Sequence, residues 1–387
     1  MFKYATLNPI AKKGLDGFSD DFQKTEDNKE ADAILVRSAS MHDMEFSSEL
    51  KCVARAGAGV NNIPLDKCAD SGIVVFNTPG ANANGVKELI ICALILGSRD
   101  VAGGIKWVQD NKDDENISKT MEKAKKNFAG TEIQSKALGV IGLGSIGVLV
   151  ANAAVSLGMK VYGIDPYLSV THALLLSKDV TVLKSYDELF SKCDYLTLHL
   201  PLLDSTKGMI NKDAFSKMKD GVILLNYSRD TLVNDDDLKS ALETGKVRKY
   251  VTDFPNPKVV TFPNVVATPH LGATTAESEE NCAVMAVDEV SDFLVNGNIK
   301  NSVNYPNCDS GAPDSVGRIT VAHKNIPDML AQLTKVLSAE GINISHLNNK
   351  SRGDYAYCII DIDSESTYEI VKKLQAIDGV IKVRIIK

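Results

Sequence analysis

A glycine-rich turn between a predicted strand and a predicted helix is the feature that most constrains how this chain can fold. The segment Gly142–Gly147 reads G-L-G-S-I-G, follows the apolar run 138–141 and opens a helical pattern. A second predicted strand ends at Asp165, 23 positions after the first glycine. Glycines in this pattern allow a tight turn and let the backbone approach a pyrophosphate at the helix N-terminus. The turn therefore predicts a dinucleotide-binding α/β domain.

Asp165 indicates which dinucleotide binds. A carboxylate at the end of the second strand of such a domain accepts hydrogen bonds from the adenosine ribose and repels a 2′-phosphate. The sequence therefore predicts NAD rather than NADP. Gly142, Gly144 and Gly147 are expected to form the turn that holds it.

Predicted strands and helices alternate along most of the chain, which is typical of parallel sheets covered by helices. A long helix after Thr274 is able to cross back to the first strands, so the first domain is predicted to be discontinuous. The predicted fold class is α/β, with two Rossmann-like doubly wound parallel-sheet domains and a small ferredoxin-like domain. The predicted bounds are 1–96 and 276–302 for a substrate-binding domain, 97–275 for the NAD-binding domain, 303–315 for a linker and 316–387 for the small domain.

The small domain has the predicted order βαββαβ, which is the ferredoxin-like plan. Its first helix is predicted to start at Asn325-Ile326-Pro327, with Asn325 as the cap and Pro327 in the first turn. Gly341 is predicted to end that helix, and two strands are predicted to pair around Arg352-Gly353.

Composition and charge argue against several classes of partner. The chain has 43 Lys and Arg against 50 Asp and Glu, a net charge of −7, so nucleic acid is not expected as the main partner. The N-terminus has no apolar targeting segment and no run of about 18 apolar residues occurs, which predicts a cytoplasmic protein with no membrane partner. The seven cysteines include no C-x-x-C pair and are expected to be reduced and mostly buried, and no metal site is predicted.

Arg229 and His270 are the candidates for chemistry. Arg229 follows the predicted buried strand 221–226, and His270 closes another predicted strand. Parallel α/β sheets bind ligands at the carboxyl ends of their strands. A guanidinium there can hold a carboxylate and polarise the neighbouring C–O bond, while an imidazole can exchange a hydroxyl proton. The alternatives are a solvated surface arginine and a structural histidine.

These motifs resemble the D-isomer-specific 2-hydroxyacid dehydrogenases along residues 1–302, and an ACT domain from about residue 316 to 387. The resemblance rests on ARAGAGVNNI, NTPGANANGVKEL, VIGLGSIG, LLNYSRD, YVTDF and TPHLGATT, in the family's order. It implies that Arg229 is the catalytic arginine and His270 the catalytic acid and base. The implied NAD contacts are Ser145, Ile146, Asp165, Tyr227, Ser228, Arg229, Asp253 and the turn 270–273 with Gly272 and Ala273. The resemblance also implies that the substrate carboxylate is bound by the backbone amides of Ala58, Gly59 and Val60.

Two positions depart from the family's pattern. Asp230 stands where the family usually has a glycine, so the loop after Arg229 is expected to differ in shape. Lys258 stands where the family has a glutamate that hydrogen-bonds the histidine. The sequence therefore assigns no third catalytic residue, although the helix that begins near Glu277 offers a replacement carboxylate.

The substrate prediction rests on two arginines. Arg37 and Arg55 match cationic positions that hold phosphate in the phosphoglycerate dehydrogenases of the family, while a further family arginine is Ala39 here. The resemblance thus implies a phosphorylated 2-hydroxy acid as substrate, namely D-3-phosphoglycerate oxidised in the first step of L-serine biosynthesis. The alternative is a pair of solvated arginines.

The ACT domain predicts regulation. His323, Asn325 and Asn343 match the positions that bind serine in ACT domains of this kind, which implies L-serine as an effector, while Asp328 replaces a usual glycine. A homodimer through the cofactor domains, or a tetramer through paired ACT domains, is expected. Three other functions stay open. The first is a glyoxylate or hydroxypyruvate reductase, or another D-2-hydroxyacid dehydrogenase, whose ACT domain only assembles subunits; the others are a non-catalytic NAD-sensing corepressor and an amino-acid sensor with an inactive dehydrogenase body.

Overall fold

The computed structural model describes residues 1–387, which form two compact units. Unit 1 comprises Met1–Asn82 and Ala276–Lys387, and unit 2 comprises Ala83–Thr275. The chain thus leaves unit 1 once, forms unit 2 and returns. None of the helices combines the length and the apolar character that crossing a membrane requires.

The first part of unit 1 is a five-stranded parallel sheet in the order β2-β1-β3-β4-β5. Its central strands are short apolar runs buried on both faces, as parallel strands covered by helices are. The strands are β1 (Phe2–Thr6), β2 (Phe22–Lys24), β3 (Ala33–Val36), β4 (Cys52–Arg55) and β5 (Val74–Asn77), and the helices are α1 (Lys12–Leu15) and α2 (Leu65–Asp70).

Unit 2 is built on a seven-stranded parallel sheet in the order β12-β11-β10-β9-β6-β7-β8. The strand order reverses between β6 and β9, and ligands of doubly wound sheets bind at such a reversal. The strands are β6 (Ala137–Ile141), β7 (Lys160–Ile164), β8 (Val180–Val182), β9 (Tyr195–Leu198), β10 (Val222–Asn226), β11 (Val247–Thr252) and β12 (Val265–Ala267). The helices are α3 (Ala83–Ser98), α4 (Val101–Asp110), α5 (Ile117–Ala124), α6 (Ser145–Ser156), α7 (Val170–Leu175), α8 (Tyr186–Lys192), α9 (Lys212–Lys217) and α10 (Asp235–Glu243).

Helix α3 places the first boundary between the units at Asn82/Ala83, earlier than the predicted residue 96. Ile90 and Leu94 are fully buried in the core that also contains Val140 and Ile223 of the seven-stranded sheet. Gly97 approaches Ile223 so closely that a Cβ there would lie 2.7 Å from its Cγ2. The whole helix belongs to unit 2 because its apolar face is covered by that sheet.

Helix α11 (Ala276–Asn296) begins the second part of unit 1 and packs Val287, Val290 and Phe293 into the core of the five-stranded sheet. The ACT region then forms an antiparallel sheet in the order β14-β15-β13-β16. Its elements are β13 (Gly317–Lys324), α12 (Met329–Ala339), β14 (Ile344–Arg352), β15 (Tyr355–Ile362), α13 (Tyr368–Gln375) and β16 (Val380–Ile385). The predicted α/β fold class, including the small βαββαβ domain, is confirmed.

The first ACT helix begins later than predicted. Its first residue is Met329 and its cap residue is Asp328, which has a φ of 69°. Asn325 does not cap the helix: its N–H donates to Asp354 O, and its Nδ2 donates to Gly353 O at 3.0 Å. The physical reason is Pro327, whose ring disfavours helical geometry at the preceding Ile326.

The first part of segment 303–315, which was predicted as a linker, packs against the five-stranded sheet, whereas residues 309–315 are exposed or half-buried. Asn304 accepts a hydrogen bond from Val75 N–H and donates one to Ile73 O, both at the edge of that sheet. Tyr305 and Cys308 are buried in the core shared with Tyr357 and Ile359 of β15. The Pro and Ser content reflects an irregular path, while the buried aromatic and thiol side chains fix that path.

Candidate functional site

The glycine turn has the close packing that its sequence predicts. A Cβ on Gly142 would overlap with the carbonyl oxygen of His199, and a Cβ on Gly147 would overlap with the carbonyl oxygen of Gly142. No heavy atom lies within 4 Å of the position that a Cβ on Gly144 would take, so there is room above the turn. Helix α6 starts at Ser145, and no side chain caps it. The free N–H groups and the open space suit a pyrophosphate.

Asp165 lies beside this turn. Its Oδ2 accepts a hydrogen bond from Leu143 N–H at 2.9 Å, and its Oδ1 accepts one from Tyr167 N–H at 2.8 Å. Burial lowers the pKa of His199, on the other side of the turn, to about 3, so its imidazole is neutral. The carboxylate of Asp165, and not the imidazole of His199, is therefore the charged group beside the turn. It lies at the end of β7, where a ribose is expected. These residues fit NAD.

His172 was not selected from the sequence, yet its Nε2 lies 3.5 Å from Ser145 Oγ at the start of α6. Helix α7, which carries it, is short and is capped by Ser169. Nothing in the spacing of the sequence indicates that this histidine reaches the glycine turn.

Asn226 shapes the loop that carries Arg229. Its Oδ1 accepts a hydrogen bond from Ser228 N–H, and its Nδ2 donates to Arg229 O at 2.8 Å and to Tyr250 OH at 3.0 Å. The Arg229 Nη1 donates to Ser228 O at 2.5 Å. The half-buried guanidinium is therefore fixed at the carboxyl end of β10 beside Tyr227 and Ser228.

Asp253, at the end of β11, is only 1% exposed. Its Oδ2 accepts a hydrogen bond from Gly272 N–H at 2.9 Å, whereas Oδ1 is buried without a hydrogen-bond partner. Burial raises the pKa of Asp253, while the Gly272 N–H and the nearby His270 act in the opposite direction. An acceptor left without a donor at this end of the sheet is consistent with a bound group that donates, such as the carboxamide of NAD.

His270 and Arg229 approach the same aromatic ring. The ring centroids of Phe254 and His270 are 4.5 Å apart, and the Arg229 Cζ lies 5.8 Å from the Phe254 centroid. Lys258, at the position of the expected glutamate, is turned to Asp236, with Nζ 3.0 Å from Oδ1. Phe254 was missed in the sequence because its importance depends on two residues from other loops.

In unit 1, Arg37 and Arg55 lie at the ends of neighbouring strands. Arg55 Nε donates to Arg37 O at 3.1 Å, and Arg37 Nη2 lies 2.6 Å from Glu279 Oε1. Asn8 Oδ1 accepts hydrogen bonds from three consecutive N–H groups, those of residues 37–39, and so fixes the loop after β3. The two arginines that the sequence selects separately are thus neighbours.

The loop 58–60 lies beyond β4 in the same unit. Asn77 Nδ2 donates to Ala58 O at 2.6 Å and holds the loop against the end of β5. The N–H groups of Ala58, Gly59 and Val60 make no hydrogen bond within the chain. Consecutive free N–H groups of this kind form an anion-binding concavity.

The three candidate effector residues do not meet within one ACT domain. His323 is buried at the end of β13, where its Nδ1 donates to Lys324 O and its Nε2 lies 3.0 Å from the Asn349 side-chain amide. Asn325 lies two positions further along the chain. Exposed Asn343 precedes β14, and its N–H donates to the Asp363 side chain. In the strand register, His323 pairs with Ala356, while the start of β14 pairs with Ile362 at the opposite end of the sheet.

Comparison with known families identifies the two types of domain. The model for the NAD binding domain of the D-isomer specific 2-hydroxyacid dehydrogenases matches residues 93–272, and an ACT domain model matches residues 316–384. A hydroxypyruvate reductase from Thermotoga maritima is 34% identical over 303 residues, covering 74% of this chain and 94% of the relative. A D-3-phosphoglycerate dehydrogenase from Haemophilus influenzae is 31% identical over 390 residues, covering 97% of this chain and 90% of the relative.

Solved structures agree with this assignment. The NAD⁺-bound 3-phosphoglycerate dehydrogenase of Entamoeba histolytica has a TM-score of 0.61 and 28% identity, covering 78% of this chain and 98% of that chain. A glyoxylate reductase from Paecilomyes thermophila, with a TM-score of 0.65 and 22% identity over 78% of this chain and 98% of that chain, shares the fold. This chain is a member of the D-isomer specific 2-hydroxyacid dehydrogenase family, an NAD-dependent dehydrogenase with an ACT domain.

Proposed function

We propose that the chain oxidises D-3-phosphoglycerate to 3-phosphohydroxypyruvate with NAD, the first step of L-serine biosynthesis. The observation that carries this proposal is that Arg37 and Arg55 lie at the ends of neighbouring strands, with Arg55 Nε donating to Arg37 O, because two arginines this near in the fold suit a dianionic phosphate on a protein whose net charge is −7. The relative that spans 97% of the chain is named D-3-phosphoglycerate dehydrogenase. This agreement supports the same substrate.

In the proposed reaction, Arg229 binds the substrate carboxylate and polarises the adjacent C–O bond. The imidazole of His270 takes the proton of the C2 hydroxyl while the C2–H bond breaks and the C2=O bond forms. The glycine turn and Asp165 would hold NAD, which would supply the hydride acceptor. One hydroxy acid is thus converted to one oxo acid, with a hydride leaving to the cofactor and a proton to His270. The N–H groups of loop 58–60 are proposed as an anion-binding site of unit 1.

The second candidate is a hydroxypyruvate reductase. It is favoured by the Thermotoga maritima relative, whose match covers 74% of this chain. A substrate without phosphate gives no reason for two arginines at neighbouring strand ends of unit 1, and it gives no reason for an ACT domain. We therefore favour the phosphorylated substrate.

Initial rates with NAD separate the two candidates. D-3-phosphoglycerate is expected to exceed D-glycerate in kcat/KM by at least about a hundredfold, since a charge-assisted phosphate site contributes several kcal/mol. Arg55→Met should remove most of this preference while leaving the rate with D-glycerate unchanged. Equal kcat/KM values for the two substrates would overturn the proposed substrate.

We also propose that L-serine binds between two ACT domains. Because Asn343 lies at the opposite end of the sheet from His323 and Asn325, a complete site needs Asn343 from one subunit and the other two residues from a second subunit. This arrangement requires a homodimer of ACT domains, and pairing through the cofactor domains as well gives a tetramer.

Mixed subunits test the arrangement. Asn325→Ala and Asn343→Ala should each abolish L-serine binding in calorimetry. When the two variants are mixed and reassembled, half of the sites in each mixed ACT pair regain both asparagines and should bind L-serine again. A site within one ACT domain instead gives no recovery. Absence of binding to the unmodified protein at millimolar L-serine would show that the ACT domain only assembles subunits.

A further inference from the structure

Phe254 stands between the two candidate catalytic groups of unit 2. The Arg229 guanidinium lies over its ring at 5.8 Å, and the His270 ring lies at 4.5 Å with an interplanar angle of 44°. A guanidinium within about 6 Å of a ring centroid is attracted to the face of the ring, and a tilted ring pair is attractive as well. One ring thus contacts both groups that the proposed reaction uses.

The charged residues on the same loop do not take this role. Lys258 is exposed and pairs with Asp236. His270 is near enough to the Asp253 carboxyl to lower the pKa of that carboxyl. However, Oδ2 of Asp253 accepts a hydrogen bond from Gly272 N–H. The aromatic ring is therefore the group whose contacts join the guanidinium and the imidazole.

Hydrogen bonds fix Phe254 relative to Arg229. The N–H of Phe254 donates to Thr252 Oγ1 at 3.0 Å, and the same hydroxyl donates to Asn226 O at 2.8 Å. Asn226 in turn donates to Arg229 O at 2.8 Å. Thr252 and Asn226 are fully buried, so this connection between the two loops is shielded from water. Pro255 further restricts the backbone at Phe254, since a residue before proline avoids helical geometry.

We propose that Phe254 is a positioning residue of the dehydrogenase: its ring aligns the Arg229 guanidinium and the His270 imidazole where the family uses a carboxylate to orient the imidazole. The proposal rests on the roles proposed above for Arg229 and His270. An imidazole that rotates freely takes the hydroxyl proton less efficiently, because general base catalysis requires hydrogen-bond geometry with the reacting hydroxyl.

The test compares Phe254→Leu, Phe254→Tyr and the control Phe262→Leu, whose half-buried ring packs on the other core of the same unit. Phe254→Leu should lower kcat for the hydroxy acid at least about tenfold, with an unchanged Kd for NADH measured by fluorescence. A deuterium isotope effect on kcat with 2-deuterated substrate should increase, because the chemical step becomes limiting. Phe254→Tyr keeps the ring and should recover kcat to within about threefold, and Phe262→Leu should leave the isotope effect unchanged.

A kcat within twofold of the unmodified enzyme in Phe254→Leu overturns the proposal. Failure of Phe254→Tyr to recover activity, in a variant that melts like the unmodified enzyme, overturns it as well. Arg229→Lys and His270→Asn are measured alongside. If both keep full activity, the proposed roles of these two residues fail; if both lose activity while Phe254→Leu does not, only the role of Phe254 fails.

Discussion

Asp70 and Lys324 form an ion pair of 2.7 Å that joins helix α2 to the ACT sheet within unit 1. The same Asp70 oxygen accepts a hydrogen bond from Tyr355 OH at 2.7 Å, and Lys324 Nζ lies 4.2 Å from the centre of the Tyr355 ring. These two donors lower the pKa of Asp70. Lys324 stands between the proposed effector residues His323 and Asn325, so the pair links the proposed effector site to the helix that follows loop 58–60.

Asp70→Asn should uncouple L-serine from catalysis. The concentration of L-serine that halves the rate should rise at least about threefold, while the rate without serine stays the same, because the substitution removes a contact between domains and not a substrate contact. Stability should change by less than about 1 kcal/mol, since the pair is largely exposed. Asp220→Asn breaks the pair with Lys246, which is 2.8 Å long, and should leave the serine response unchanged. An unaltered serine response in Asp70→Asn would contradict the link.

Glu289 should make stability depend on pH. It is 6% exposed; its Oε1 accepts a hydrogen bond from Asn301, whereas Oε2 is buried without a partner. Burial raises the pKa of Glu289 from 4.5 to about 8. Because the folded value is the higher one, the contribution of this group to stability is fully present below pH 4.5 and is lost as the pH rises towards 8. At pH 7 the loss is about 3 kcal/mol.

Glu289→Gln keeps the acceptor for Asn301 but cannot ionise. It should raise the free energy of unfolding by about 2–3 kcal/mol at pH 7–8 and by less than about 1 kcal/mol at pH 5, as measured by urea unfolding. Exposed Glu365, replaced by Gln, is the control and should show no such difference between the two pH values. Equal effects of Glu289→Gln at both pH values would mean that the carboxyl does not titrate in this range.

Asp165 should determine the preference for NAD. The unmodified enzyme is expected to prefer NAD over NADP by at least tenfold in kcat/KM, about 1.4 kcal/mol, because the carboxylate at the glycine turn repels a 2′-phosphate. Asp165→Ala should reduce this ratio, whereas Asp179→Ala, on the exposed surface of the same unit, should not. Equal use of both cofactors by the unmodified enzyme would refute the assignment.

Glu279 should weaken phosphate binding, because it occupies Arg37 at 2.6 Å and adds a negative charge beside the proposed phosphate site. Glu279→Gln should lower KM for D-3-phosphoglycerate about two- to fivefold. The effect is expected to be modest because both side chains of the ion pair are 39% exposed, and solvent weakens such a pair. KM for D-glycerate should stay the same. The neighbouring Glu280→Gln breaks the exposed pair with Lys13 and is the matched control. A higher KM in Glu279→Gln would show that the pair helps to hold Arg37 for the substrate.

The sequence by itself determined the dinucleotide domain, the family and the ACT domain. The glycine turn and Asp165 lie within one strand-helix-strand unit, so local steric and hydrogen-bonding requirements leave a readable pattern. The same holds for the βαββαβ order, because each strand and helix is specified by its own apolar periodicity. NAD as the cofactor follows from these local patterns.

Only the tertiary structure decided which residues meet. Lys324 and Asp70 are 254 positions apart, and the contacts of Arg37 with Glu279 and of Phe254 with Arg229 and His270 also join separate segments. The start of α12 at Met329, the boundary at Ala83 and the packing of segment 303–315 differ from the sequence predictions because each depends on what covers the segment. How deeply a side chain is buried and which residues it contacts are decided only when the chain packs. A single sequence carries no direct signal for contacts between distant positions.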